Sequence, residues 1–119
     1  MPAKSSSSVR HDAAPRERVI EAARAWAERL RRDHPEVLRV GYFGSYARDD
    51  YVPGSDMDVL LELAGSGKAR WQDRAEDYHP DGFPVPVDIF AYTQKEIETM
   101  RRDGTAFLQT ILNEIVWLP

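Results

Sequence analysis

A chain of 119 residues has room for one domain and not for a second. With 42% hydrophobic and 30% charged residues it has an ordinary globular composition, and its net charge of −4 argues against a nonspecific nucleic-acid binder, which is normally basic. The absence of cysteine excludes disulfides and thiolate zinc sites, while the lack of a long apolar run or an apolar leader argues for a cytoplasmic protein away from membranes.

Residues 1–14 are polar and include Ser5-Ser6-Ser7-Ser8, so they are expected to be a flexible tail that cannot offset its own ordering entropy. The domain proper is expected over 15–119. Pro15 opens a helical pattern in which Val19, Ile20, Ala23, Trp26, Ala27 and Leu30 form one apolar stripe, with Trp26 in the core. Arg and Glu fill the opposite, solvated face, and His34-Pro35 ends the run.

Val37 to Phe43 is a β-branched and aromatic strand that breaks at Gly44-Ser45. A loop follows from Asp49 to Ser55. Met57 to Leu63 is a second strand, with Met57, Val59, Leu61 and Leu63 on one face and Asp58, Leu60 and Glu62 on the other. After Gly65-Ser66-Gly67, a short helix is expected from about Lys68, with Trp71, Ala75 and Tyr78 sharing a face. Val85 to Tyr92 is a third strand, and Pro84 and Pro86 predict an edge position because they lack amide donors. Thr93 and Glu96 have capping-box spacing for a helix that stops near Gly104. Thr105 is expected to cap a last helix with Phe107, Leu108, Ile111 and Leu112 as its apolar positions, and Val116-Trp117-Leu118 can form a terminal strand. Helices alternating with three strands predict a small layered α/β domain.

Asp56 and Asp58 are one residue apart, and in a strand such residues share a face with Cα atoms roughly 6.5–7 Å apart. Their carboxylates could converge on one divalent cation or bracket a pair. Asp88, between apolar Val87 and Ile89, would need a partner for its charge, and a metal is a suitable one. Asp-x-Asp by itself is a weak motif in an Asp-rich chain, and Gly-Ser by itself is usually a turn. A strand followed by Gly44-Ser45 and a polar turn is nevertheless a plausible phosphate cradle, since glycine permits close backbone approach and the serine hydroxyl adds a donor. Arg48 is read equally as a phosphate contact or as a surface residue. Gly65-Ser66-Gly67-Lys68 is not a P-loop, because Glu62 stands where its first glycine belongs and Ala69 where Ser or Thr should be.

In combination, Val40-Gly41-Tyr42-Phe43-Gly44-Ser45-Tyr46-Ala47-Arg48, Gly54-Ser55-Asp56-Met57-Asp58-Val59-Leu60 and Val87-Asp88-Ile89-Phe90 resemble the minimal nucleotidyltransferases related to DNA polymerase β. The C-terminal Glu114-Ile115-Val116-Trp117-Leu118 is similar to the usual end of such chains, and the resemblance covers about residues 15 to 118. It implies an α+β domain with a small mixed sheet of three core strands flanked by helices. It also implies transfer of NMP from an NTP, such as ATP, with two Mg2+ ions held by Asp56, Asp58 and Asp88. Gly44 and Ser45 would hold the β and γ phosphates, and Asp88 would help deprotonate the acceptor. Asp49 departs from the pattern, since relatives often have glycine there.

Small members of this family resemble antitoxins paired with HEPN-type toxins, which implies AMP transfer to a toxin tyrosine. The competing readings are a non-catalytic module that neutralises a partner by contact, with Trp71, Tyr78, Phe83 and Trp117 as candidate anchors, and transfer to a small molecule such as an aminoglycoside.

Overall fold

The computed structural model describes residues 15–119, and the expected tail lies outside them. Helix α1 (Arg16–Asp33) starts behind Pro15, whose carbonyl accepts from the Arg18 and Val19 amides at 3.0 and 3.2 Å. It ends where the His34 amide closes on the Leu30 carbonyl, because Pro35 disfavours a helical conformation in the residue before it. Its buried residues are the six of the predicted stripe, and the Trp26 indole N–H donates to the Tyr78 carbonyl at 3.1 Å. A buried indole needs such a partner.

Strand β1 (Val37–Phe43) is followed by the single turn α2 (Ser45–Arg48), then by strand β2 (Met57–Leu63). Strand β3 (Val87–Thr93) leads through helices α3 (Gln94–Arg102) and α4 (Ala106–Glu114) to the two-residue strand β4 (Val116–Trp117). The sheet has the order β3-β2-β1-β4, with β1 antiparallel to both β2 and β4 and with β2 parallel to β3. It is a mixed four-stranded sheet flanked by helices, made of the three expected core strands and the terminal strand suggested at Val116-Trp117-Leu118, which forms over Val116–Trp117. The edge position of β3 agrees with its flanking prolines.

Period-two alternation sorts the side chains of β2 as expected. Met57, Val59, Leu61 and Leu63 join the core under α1, whereas Leu60 joins a second core with Ile97 of α3 and Leu108 and Ile111 of α4. Both faces of the sheet are therefore covered, and Asp58 lies on the α3/α4 face. Gly41 makes room for the chain end, since a Cβ there would meet Ile115 and Trp117 at 2.8 to 2.9 Å.

The crossover from β2 to β3 corrects the sequence reading. In place of one helix it contains two short 3-10 turns, Trp71–Asp73 and Ala75–Asp77. Trp71 packs with the α3/α4 core and Tyr78 with the α1 core, so the two do not share a face. The physical reason is Arg74, which is 3% exposed. Its guanidinium donates to the carbonyls of Lys68, Ala69 and Ala91 and to both carboxylate oxygens of Glu96, at 2.7 to 3.0 Å. The segment wraps around this side chain, and carbonyls that bond to Arg74 do not build a regular helix ladder.

The capping box of Thr93 and Glu96 is formed as predicted. Thr105 occupies the cap position of α4, but its side chain accepts no capping hydrogen bond. Of that helix's apolar positions, Leu108 and Ile111 are buried, whereas Phe107 is 43% exposed.

Candidate active site

The site begins where β1 runs out. Gly44 has φ 77° and ψ −148°, a backbone that L side chains rarely adopt, and it turns the chain into α2. A Cβ on Gly44 would lie 2.3 Å from Asp58 Oδ2. Glycine is required here twice over, by the dihedral angle and by the carboxylate pressed against the backbone. Ser45 is half-buried as the first residue of α2, and Asp49 ends the turn in the left-handed region at φ 66°. This is the position where the related pattern favours glycine, and aspartate is one of the few other residues that tolerate it.

Asp58 and Asp88 are direct neighbours in the parallel register of β2 and β3. Adjacent strands lie about 4.8 Å apart, so these two acids project side by side from the same face. Asp56 stands just ahead of β2, outside the ladder, whose first residue Met57 donates its amide to the Pro86 carbonyl at 2.9 Å. Asp56 and Asp88 are exposed, whereas Asp58 is half-buried. Burial pushes the Asp58 carboxyl up to about 6, reinforced by the negative charges of Asp88 and Asp56 and by Glu114, with Arg48 opposing. A half-buried carboxylate crowded by three others is short of positive charge. Among the described residues, no three acid, histidine or cysteine side chains are already gathered as a metal cage. The available donors are nonetheless hard carboxylate oxygens at a solvent-facing strand end. They fit a magnesium ion that completes its shell with water and phosphate.

Arg48 is half-exposed, yet it is tethered. Its Nη1 donates to both oxygens of Glu114 at 3.1 and 3.2 Å, and its Nε donates to Asp50 at 3.1 Å. Glu114, the last residue of α4, also accepts from the Gly44 amide at 2.6 Å. In the sequence Glu114 stands out only as part of a familiar ending, with no role attached. A signal was present, because an acid in the last turn of a helix opposes the helix dipole and calls for a compensating cation or amide. The structure thus brings Gly44, Ser45, Arg48, Asp56, Asp58 and Asp88 to one end of the sheet and adds Glu114.

Next to Asp88 on the same face lies Phe90, packed by Phe43, Trp71 and Phe107 at ring separations of 5.2 to 5.6 Å. The anchors suggested for contact binding are divided. Tyr78 is buried, and Trp71, Phe83 and Trp117 are half-buried. Among the described residues no helix is long and apolar enough to cross a membrane.

A family model described as a nucleotidyltransferase domain matches residues 24–118. Among solved structures, a protein from Sulfolobus solfataricus, provisionally described as a nucleotidyltransferase, is 26% identical with a TM-score of 0.56; the match covers 71% of this chain and 75% of that one. A toxin–antitoxin crystallised with AMP-PNP is 19% identical with a TM-score of 0.51, over 89% of this chain and 73% of that one, a likeness of fold alone. No curated protein matches the chain.

Proposed function

The chain belongs to the nucleotidyltransferase domain family, and on that premise we propose that it is a magnesium-dependent enzyme moving AMP from ATP to a tyrosine hydroxyl on a partner HEPN-type toxin. Residues 15–119 are the catalytic domain in this reading. The observation that carries it is the meeting of Asp58 with Asp88 in parallel register while the Gly44 backbone touches the Asp58 carboxylate. That juxtaposition puts an acid pair and a glycine turn within one small region, as transfer from a metal-bound triphosphate requires.

Asp56, Asp58 and Asp88 would hold the magnesium, two ions in the full site. When bound, the metal neutralises charge on the transferring and leaving oxygens and lowers the pKa of the acceptor hydroxyl. The rest is done by the chain. Gly44 admits the β and γ phosphates close to the backbone, Ser45 donates its hydroxyl to them, and Arg48 balances their charge. The Asp88 carboxylate, on the edge strand, receives the proton of the acceptor hydroxyl. The hydroxyl oxygen bonds to the α phosphorus, the bond from that phosphorus to the bridging oxygen breaks, and pyrophosphate leaves. Choice of an adenine nucleotide and a toxin partner is supported by the fold shared with the toxin–antitoxin crystallised with AMP-PNP.

The test is transfer of label from α-labelled ATP, with Mg2+, to the protein encoded next to this one. Label on that protein is expected, with loss of labelling in Asp56→Asn/Asp58→Asn. No transfer to it would defeat the proposal. If the double variant stays folded and still neutralises the partner, contact rather than chemistry is responsible.

A further inference from the structure

The last residue of α4 sits where the phosphate side of the site is assembled. Glu114 is 18% exposed and satisfies its carboxylate with three contacts, one from the Gly44 amide and two from Arg48 Nη1. These are residues of one short turn, held from outside by a single side chain. Asp50 takes Arg48 Nε, so the guanidinium is gripped from two sides, and its Nη2 has no acceptor among the described residues. An arginine on an exposed turn ordinarily samples many rotamers, and fixing it beforehand removes an ordering cost from anion binding.

Two roles are open to such a carboxylate. It could be a competing anion that occupies phosphate donors, or a strut that fixes them. The contacts favour the strut. Among the described residues Nη2 is left over after Glu114 and Asp50 are served, and the Gly44 amide is bonded by Glu114 while the glycine backbone meets Asp58. Removing Glu114 would leave the Gly44 amide unpaired and free Arg48 to swing onto the Asp58 carboxylate.

We infer that Glu114 is a positioning residue for nucleotide binding: it ties the Gly44 amide to the Arg48 guanidinium, so that the end of α4 sets the glycine turn and the cation that face the triphosphate. This rests on the reading of that turn as the phosphate side of the site.

The experiment measures Kd for Mg2+ with α,β-methylene-ATP, an analogue that cannot be cleaved at the transferred phosphorus, on the full chain. Glu114→Gln keeps the shape and an acceptor for the Gly44 amide but loses the charge that holds Arg48. Its Kd is expected to rise about tenfold with the melting temperature little changed, and Glu114→Asp should fall between it and the wild type. Arg48→Gln should weaken binding, and Glu114→Gln should add little on that background, because both changes break the same unit. Tighter binding in Glu114→Gln would make Glu114 a competitor, and unchanged binding or full additivity with Arg48→Gln would also overturn the inference. If Glu114→Gln does not fold, the Arg48→Gln and Glu114→Asp pair decides on the same criteria. Asp56→Asn separates the two levels. Loss of binding in that variant with normal binding in Glu114→Gln removes the strut alone. Binding by neither the wild type nor any variant removes the nucleotide-site reading itself.

Discussion

Asp58 is held against the Gly44 backbone, and burial first, then the negative charges of Asp88, Asp56 and Glu114, push its carboxyl up to about 6 from an ordinary 3.8. A raised folded-state pKa means that the folded protein holds the proton more tightly. The stability this group confers is complete below its unfolded value and is lost as pH rises through about 6. In metal-free protein, Asp58→Asn should therefore raise stability at pH 7 by about 1 kcal/mol after solvent screening, and the gain should vanish near pH 4. Denaturant melts in chelator at the two pH values check this. Gly44→Ala should cost about 1–3 kcal/mol and abolish transfer, because the new Cβ displaces Asp58 and the backbone is left-handed. Asp49→Gly should go the other way, gaining about 0.5–1 kcal/mol by relieving the left-handed aspartate, as read by the same melts. Gly44 and the acids drew attention in the sequence only in combination, through the resemblance that their spacing carries, since Asp-x-Asp and Gly-Ser are each common by themselves. Glu114 was not legible as a site residue, since its partners lie 66 and 70 positions away and no local pattern reports them.

At the scale of elements, periodicity located what periodicity can locate. The stripe on α1 and the alternation on β2 identified both elements and their buried faces, while Pro15 and Pro35 set the ends of α1. The crossover failed the same test. Trp71, Ala75 and Tyr78 have helical spacing, but the segment is ordered by the Arg74 side chain, and a buried arginine looks in sequence like any surface arginine. Arg74 joins the crossover to β3 through the Ala91 carbonyl and to α3 through Glu96. Arg74→Met should cost about 3–5 kcal/mol, since it leaves buried carbonyls and a carboxylate without their partner. The hydrogen bond from Arg74 holds Glu96 below the usual glutamate range, and a depressed pKa confers stability above the unfolded value that is lost as pH falls through the folded one. The wild type should thus lose stability from this pair on acidification below about pH 4. In Arg74→Met that part of the acid sensitivity should disappear from the pH dependence of unfolding.

For the whole molecule, α3 and α4 cover one face of the sheet, and the end of α4 reaches the edge of the candidate site through Glu114. On the Asp58 face Leu60 is covered by α3 and α4, Glu62 is buried in an ion pair with Arg39, and Asp58 and Asp88 stand together with Asp88 exposed to solvent. Such an arrangement stores negative charge that a metal–nucleotide complex can relieve, so binding should stabilise the fold. Mg2+ with a nonhydrolysable ATP analogue at about a hundred times its Kd should add about 2.7 kcal/mol, several degrees in melting temperature, and Asp56→Asn/Asp58→Asn should show none of it. The most direct measurement is a crystal structure with Mg2+ and α,β-methylene-ATP. The expected result places metal about 2.0–2.1 Å from carboxylate oxygens of Asp56, Asp58 and Asp88, with the terminal phosphates at Gly44 and Ser45. Nucleotide bound elsewhere, or metal that touches none of those three acids, would contradict it.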